Sequence, residues 1–159
     1  MKIGKLKLYL ETTVFNYYFD EDRTGHEDVL KLFEAIEAGK FEVYTSRYVT
    51  DELIKAPEPK NNNMIALIDK YNIIHLELTD EVFDLAELYI ATNIIPASYF
   101  YDSVHVAVAS VYGLDGIISY NFEHINRDKT RLLTTSVNNE EGYGGIVICT
   151  AKEVLNYEQ

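Results

Sequence analysis

Four side chains of this sequence, Glu11, Glu52, Asp102 and Asn121, have the types and positions that suit metal-assisted hydrolysis. Asp102 is the most informative of them. It lies in Ala97 to Tyr112, ASYFYDSVHVAVASVY, a run apolar on almost every side, with Gly113 where a helix would stop. A helix apolar all round lies inside a domain. An aspartate is rarely buried there unless it is paired or binds a metal. Three carboxylates in one site repel, each close pair by about 4 kcal/mol at an effective dielectric near 20. A hard dication such as Mg²⁺ or Mn²⁺ relieves that repulsion, and Mg²⁺ typically uses few carboxylates and keeps several waters. The chemistry within reach is in-line attack of water on a phosphodiester, with a carboxylate helping to remove its proton. Taken singly, each residue also has a plain structural use: Glu52 as an exposed helix residue, Glu11 as a loop carboxylate, Asp102 as a buried acceptor, Asn121 as a cap.

The elements that must position these groups alternate between strand and helix. Lys7 to Leu10 reads as a strand ending at Glu11, and Thr12 or Thr13 can cap a helix reaching Tyr18. His26 to Ala38 carries apolar residues at helical spacing, and Phe41 to Tyr44 is a second strand. Ser46 can cap the helix Arg47 to Ala56, stopped by Pro57 and Pro59, with Tyr48, Val49, Leu53 and Ile54 facing inward. Asn61 to Asn63 reads as a polar break before a helix from Met64 to Tyr71. Ile73 to Leu76 is a third strand, and Thr79 opens the helix Asp80 to Thr92. After the Asp102 helix come a short buried strand around Ile117 and Asn121 at its end. Arg127 to Glu141 reads as polar helix or loop, Gly142 to Gly145 as a turn, Ile146 to Cys149 as the last strand and Ala151 to Tyr157 as a closing helix. This order predicts an α/β three-layer sandwich with a mainly parallel central sheet, as one domain over 1–159. In such sheets ligands bind beyond the carboxyl ends of the strands, which is where these polar residues fall.

Composition narrows the function classes. The 159 residues carry 14 Lys and Arg against 26 Asp and Glu, a net charge of −12, which argues against generic nucleic-acid binding but leaves room for a local basic site. Arg127, Lys129 and Arg131 follow Asn121 closely and are the candidates for it. The single cysteine, Cys149, reads as a small buried core residue of a protein in a reducing compartment. The start MKIGKLKLYLE is too short in apolar residues for a signal peptide or a membrane span, so a cytoplasmic protein without a membrane partner is expected.

Four segments in order carry a resemblance: Glu11-Thr-Thr-Val, Thr50-Asp-Glu52-Leu, Asp102-Ser-Val-His105-Val-Ala-Val-Ala, and Ser119-Tyr-Asn121-Phe-Glu-His124-Ile. Together they resemble the PIN-domain ribonucleases, in particular the VapC-type toxins of toxin–antitoxin pairs. The tail Gly142-Tyr to Leu155 resembles that family's last strand and helix. The resemblance implies a PIN-like fold and endoribonuclease activity with Mg²⁺ or Mn²⁺. It also implies an RNA substrate, a cognate antitoxin and a homodimer. By motif, Glu11, Glu52, Asp102 and Asn121 take the catalytic positions, with Glu11 and Asp102 holding metal. The first position is usually aspartate and the fourth often acidic, so Glu11 and Asn121 depart from the pattern. A catalytically weak or inactive PIN-fold binding module, making protein or RNA contacts, is therefore the alternative.

Supporting residues fall around these four. Thr12 or Thr13 and Ser119 can orient water or cap backbone, and His124 can contact RNA or orient its loop. His105 shares a helix face with Asp102 and is expected to be a hydrogen-bonded structural residue, since hard Mg²⁺ prefers oxygen. Tyr48, Tyr99, Tyr101 and Tyr120 neighbour the site, where packing is the commoner use of tyrosine and stacking on unpaired bases the other.

Overall fold

Residues 4–157 are described by a computed structural model. Its strands are β1 (Leu6–Leu10), β2 (Phe41–Ser46), β3 (Ile74–Leu76), β4 (Gly116–Ile118) and β5 (Val147–Cys149). They form one sheet in the order β3-β2-β1-β4-β5, with every neighbouring pair parallel. The helices are α1 (Thr12–Phe19), α2 (His26–Glu37), α3 (Arg47–Ile54), α4 (Lys60–Lys70), α5 (Asp80–Ala91), α6 (Phe100–Val111), α7 (Asp128–Glu141) and α8 (Ala151–Asn156), with a 3-10 turn, Ala97–Tyr99, leading into α6. The predicted α/β sandwich is what forms. Leu8, Tyr9 and Leu10 are all buried, as both faces of a central parallel strand must be.

Chain order reverses at β1, with β2 on one side and β4 on the other. A crevice opens at such a switch point, outside the carboxyl ends of the strands. Leu10 lies opposite Ile118, and the amide of Glu11 donates to the Ile118 carbonyl at 3.2 Å. Glu11 is thus held by the ladder just as β1 runs out. At Gly116 a β-carbon would lie 3.0 Å from the Val147 carbonyl oxygen, so β4 and β5 need glycine to come this close.

Helix α6 is buried from Ser103 through Ser110, as its all-round apolar character predicts, and Gly113 beyond it takes a left-handed φ of 65°. The hydroxyl of Ser103 donates to the Ala86 carbonyl at 2.6 Å, tying α6 to α5. The Tyr89 hydroxyl meets Asn138 at 2.5 Å and Ser110 at 3.1 Å, joining α5, α6 and α7. This buried polar cluster explains why the segment from 127 to 141 read ambiguously. The inner stripe of α7 is Thr130, Thr134 and Asn138, so its helical period is written in polar residues.

Several boundaries differ from expectation for local reasons. Asn61 to Asn63 is not a break: α4 begins at Lys60, and the amides of Asn61 and Asn63 donate to the carbonyls of Pro57 and Pro59. The prolines therefore precede a helix start, where a missing N–H does no harm, as well as following a helix end. Helix α3 stops at Ile54, which is about half exposed rather than part of the inner stripe. Ser46 precedes α3 but makes no side-chain cap, because its hydroxyl lies 2.8 Å from that of Tyr9. Strand β4 ends at Ile118, so Asn121 lies three residues past it. None of the helices among the described residues is long and apolar enough to cross a membrane. Cys149 is buried, and burial pushes its thiol up to about 12, consistent with an inert core residue.

Candidate active site

Glu11 is the first group of the site and is 2 % exposed. Its carboxylate caps α1, displacing Thr12 and Thr13 from the role expected of them. One oxygen, Oε2, accepts from the Thr13 amide at 3.2 Å. The other, Oε1, accepts from the hydroxyls of Thr13 and Ser119, each at 2.6 Å. The Thr13 hydroxyl also accepts from the Tyr120 amide at 2.8 Å, and the Ser119 hydroxyl from the Asn121 amide at 3.0 Å. Burial pushes the Glu11 carboxyl above its ordinary value, against the pull of His105 and these hydroxyls, and the charge of Glu52 pushes the same way as burial.

Asp102 lies in the first turn of α6, its side chain 14 % exposed. Its Oδ2 is 3.1 Å from His124 Nδ1. Asn121 accepts from the His124 amide through Oδ1 at 3.0 Å. Burial is again the largest influence, raising the Asp102 carboxyl above the ordinary range; His105, Asn121 and His124 oppose it and Glu52 adds to it.

His105 ties Glu52 to the core. It is fully buried, with Nε2 2.7 Å from Glu52 Oε1 and Nδ1 2.7 Å from the Tyr9 hydroxyl. The chain Ser46–Tyr9–His105–Glu52 satisfies every polar atom with either charge state of the ring. With neutral imidazole, Ser46 donates to Tyr9, Tyr9 to Nδ1, and Nε2–H to Glu52. With imidazolium, Nδ1–H donates to Tyr9 and Tyr9 to Ser46. Burial alone would lower the His105 pKa, yet its hydrogen bond to Glu52 and the charges of Glu52, Glu11 and Asp102 leave it raised. Burial keeps the Tyr9 phenol protonated.

Three of the four expected residues are joined by hydrogen bonds: Glu11 and Asn121 share Ser119, and Asp102 meets His124, whose amide donates to Asn121; Glu52 is bonded instead to His105, whose charge also acts on Glu11 and Asp102. The supporting set divides. Ser119 is buried and acts on Glu11 rather than facing an open surface. The buried hydroxyl of Thr12 has no partner, whereas Thr13 does the holding. Arg127 donates to the Ile94 carbonyl at 2.6 Å and to Thr130 at 3.0 Å, and Arg131 bonds Asn126 and Asp128. Both guanidiniums thus serve the start of α7, while Lys129 is exposed. Asn126 was not singled out, yet its amide donates to the Ser119 carbonyl at 2.9 Å. Tyr9 and Ser46 were likewise missed. A tyrosine inside an apolar strand was the available signal, because its buried hydroxyl must find a partner.

Among the described residues no group of three or more His, Cys, Asp or Glu side chains is gathered tightly enough to cage an ion. The donor set still suits a hydrated hard dication, which takes one or two carboxylates and keeps its remaining waters. Glu11 and Asp102 offer oxygen donors whose charged forms are disfavoured by burial, and the unpartnered Thr12 hydroxyl adds a neutral oxygen to the same segment.

Comparison with known proteins agrees with this architecture. Residues 8–129 match the PIN domain family. Among solved structures, VapC20 of Mycobacterium tuberculosis, described as a sarcin-ricin loop cleaving toxin, superposes with a TM-score of 0.57 at 15 % identity, covering 74 % of this chain and 92 % of that one. FitAcB of Neisseria gonorrhoeae superposes with a TM-score of 0.55 at 12 % identity, covering 91 % and 97 %. No curated protein matches the sequence.

Proposed function

This chain belongs to the PIN domain family, a family of nucleases, and from that premise we propose that it is a metal-dependent endoribonuclease acting as the toxin of a toxin–antitoxin pair. The observation that carries the reading is that Glu11, buried at the end of β1, and Asp102 of α6, its side chain 14 % exposed, are both tied to the segment after β4, Glu11 through Ser119 and Asp102 through His124. Glu11 and Asp102 would hold Mg²⁺ or Mn²⁺. When bound, such an ion supplies Lewis acidity and offsets charge developing on a phosphoryl group. Thr13 and Ser119 hold the Glu11 carboxylate, and His124, its amide held by Asn121, orients that of Asp102. Glu52, its side chain 30 % exposed, accepts the proton of the attacking water, with His105 stabilising its charge from the buried side. In-line hydrolysis would leave a 5′-phosphate and a 3′-hydroxyl.

The partners follow from the same reading. VapC20 is described as a sarcin-ricin loop cleaving toxin, which accords with an RNA target, and the reading extends to a cognate antitoxin, a second copy of the chain as a dimer partner and a cytoplasmic setting, as the family resemblance implies. The second reading is a PIN-fold binding module of weak or no activity. It draws on the neutral Asn121 and on the histidine partners that Asp102 and Glu52 already have. Incubating the protein with a mixed RNA pool in Mn²⁺ or Mg²⁺, with EDTA as control, separates the two. Cleavage that EDTA abolishes supports the nuclease, and an intact pool with either ion supports the binding module.

A further inference from the structure

The tyrosines around Asp102 differ in what their rings already meet. Tyr101 already has Tyr48 stacked at 4.3 Å between centroids and the Lys55 ammonium 5.6 Å from its own centroid. Tyr120 is buried and stacked on Tyr17 at 4.1 Å. Tyr99, in the turn before α6, rests on His124 with centroids 3.9 Å apart and planes 34° apart, and it is 46 % exposed. His124 in turn bonds Asp102. Tyr99 is thus a half-exposed ring, oriented by a residue that touches the proposed metal ligand.

Charge makes this ring matter more. The chain carries a net charge of −12, Arg127 and Arg131 bond within the chain, and Arg47 lies 3.6 Å from Asp51. Of the three cations that follow Asn121, the exposed Lys129 is the one left to meet a phosphate, so a bound strand needs another source of affinity. Stacking of bases on aromatic rings supplies it without regard to sequence. Resting on the endoribonuclease reading above, we propose that Tyr99 is a base-stacking position for the nucleotide beside the scissile bond. Affinity for RNA there comes from stacking more than from phosphate charge.

The test uses anisotropy of an end-labelled, unstructured RNA oligonucleotide of mixed sequence, with Ca²⁺ in place of the catalytic ion. Tyr99→Ala should weaken binding about 5- to 150-fold, the range for one lost base–aromatic stack, while Tyr99→Phe, which keeps the ring, should bind like the parent. Tyr101→Ala should change binding less than Tyr99→Ala, since that ring is already covered. The parent's salt dependence should be shallow, with a log–log slope no steeper than about −1.4, as two phosphate contacts to a single strand would give. Equal binding by parent and Tyr99→Ala, or a slope steeper than about −3, overturns the stacking proposal and leaves the nuclease reading standing. A parent that binds no RNA overturns both.

Discussion

Tyr9→Phe is the sharpest probe of how the site is anchored to the core. Tyr9 is fully buried in the central strand, and its hydroxyl lies 2.8 Å from Ser46 and 2.7 Å from His105 Nδ1. Phenylalanine keeps the ring and the packing and removes one oxygen. That single change leaves the Ser46 hydroxyl and one ring nitrogen of His105 buried without their partner. Each orphaned group costs about 1–3 kcal/mol, and the more apolar ring offsets a little of it. A net loss of about 2–4 kcal/mol is therefore expected, which lowers Tm by roughly 4–16 °C at this chain length. Urea unfolding should show a lower midpoint with an unchanged m-value, the mark of lost stability rather than of a changed denatured state. Ser46→Ala should cost less, since it removes one end of the chain and leaves the Tyr9–His105 bond in place. A Tyr9→Phe protein within about 0.5 kcal/mol of the parent, the range of ordinary surface substitutions, would refute the claim that this hydroxyl anchors His105.

Two further predictions concern the carboxylates. Thr13→Val keeps the shape of the side chain but removes a donor to Glu11 and the acceptor for the Tyr120 amide; cleavage should fall by up to about a hundredfold through misplacement of Glu11, with a stability loss of about 1.5–3 kcal/mol, and unchanged turnover would remove Thr13 from the site. Glu11, Asp102 and His105 all have raised folded-state pKa values, burial leading for the two acids and Glu52 sustaining the histidine against burial. The native state then holds more protons than the unfolded chain, so their contributions are full below the ordinary values of 4.5, 3.8 and 6.5 and are lost as pH rises through the folded-state values. The metal-free protein should accordingly melt higher near about pH 6 than near about pH 8, and the opposite order in thermal scans would mean that these groups are not under net desolvation.

What was legible in the sequence followed the hydrophobic pattern. The run around Asp102 announced a buried helix because nearly every residue from Ser103 to Ser110 is apolar or small, and strand and helix order then placed Glu11 and Asn121 at one end of a parallel sheet. The stripe of α7 was hidden because Thr130, Thr134 and Asn138 pack inward through hydrogen bonds rather than apolar contact. The identity of the group that caps α1 was also out of reach. Glu11, Thr12 and Thr13 can all accept from a helix amide, and the choice depends on Ser119, which lies 108 positions away. Arg127 and Arg131 illustrate the same limit, since a cation looks free in sequence until the carbonyl of Ile94 or the side chain of Asn126 meets it.

The central claim is that Glu11 and Asp102 hold a divalent cation, and thermal melts of the parent and Asp102→Asn with and without Mn²⁺ test it most directly. The substitution keeps the shape of the side chain and removes a charge that burial already disfavours. Without metal, Asp102→Asn should be as stable as the parent or more so. At about a hundred times the dissociation constant, Mn²⁺ should stabilise the parent by about 2.7 kcal/mol and Asp102→Asn far less. An Asp102→Asn protein that melts well below the parent without metal, with neither protein shifted by Mn²⁺, would make Asp102 a structural partner of His124 and contradict the account.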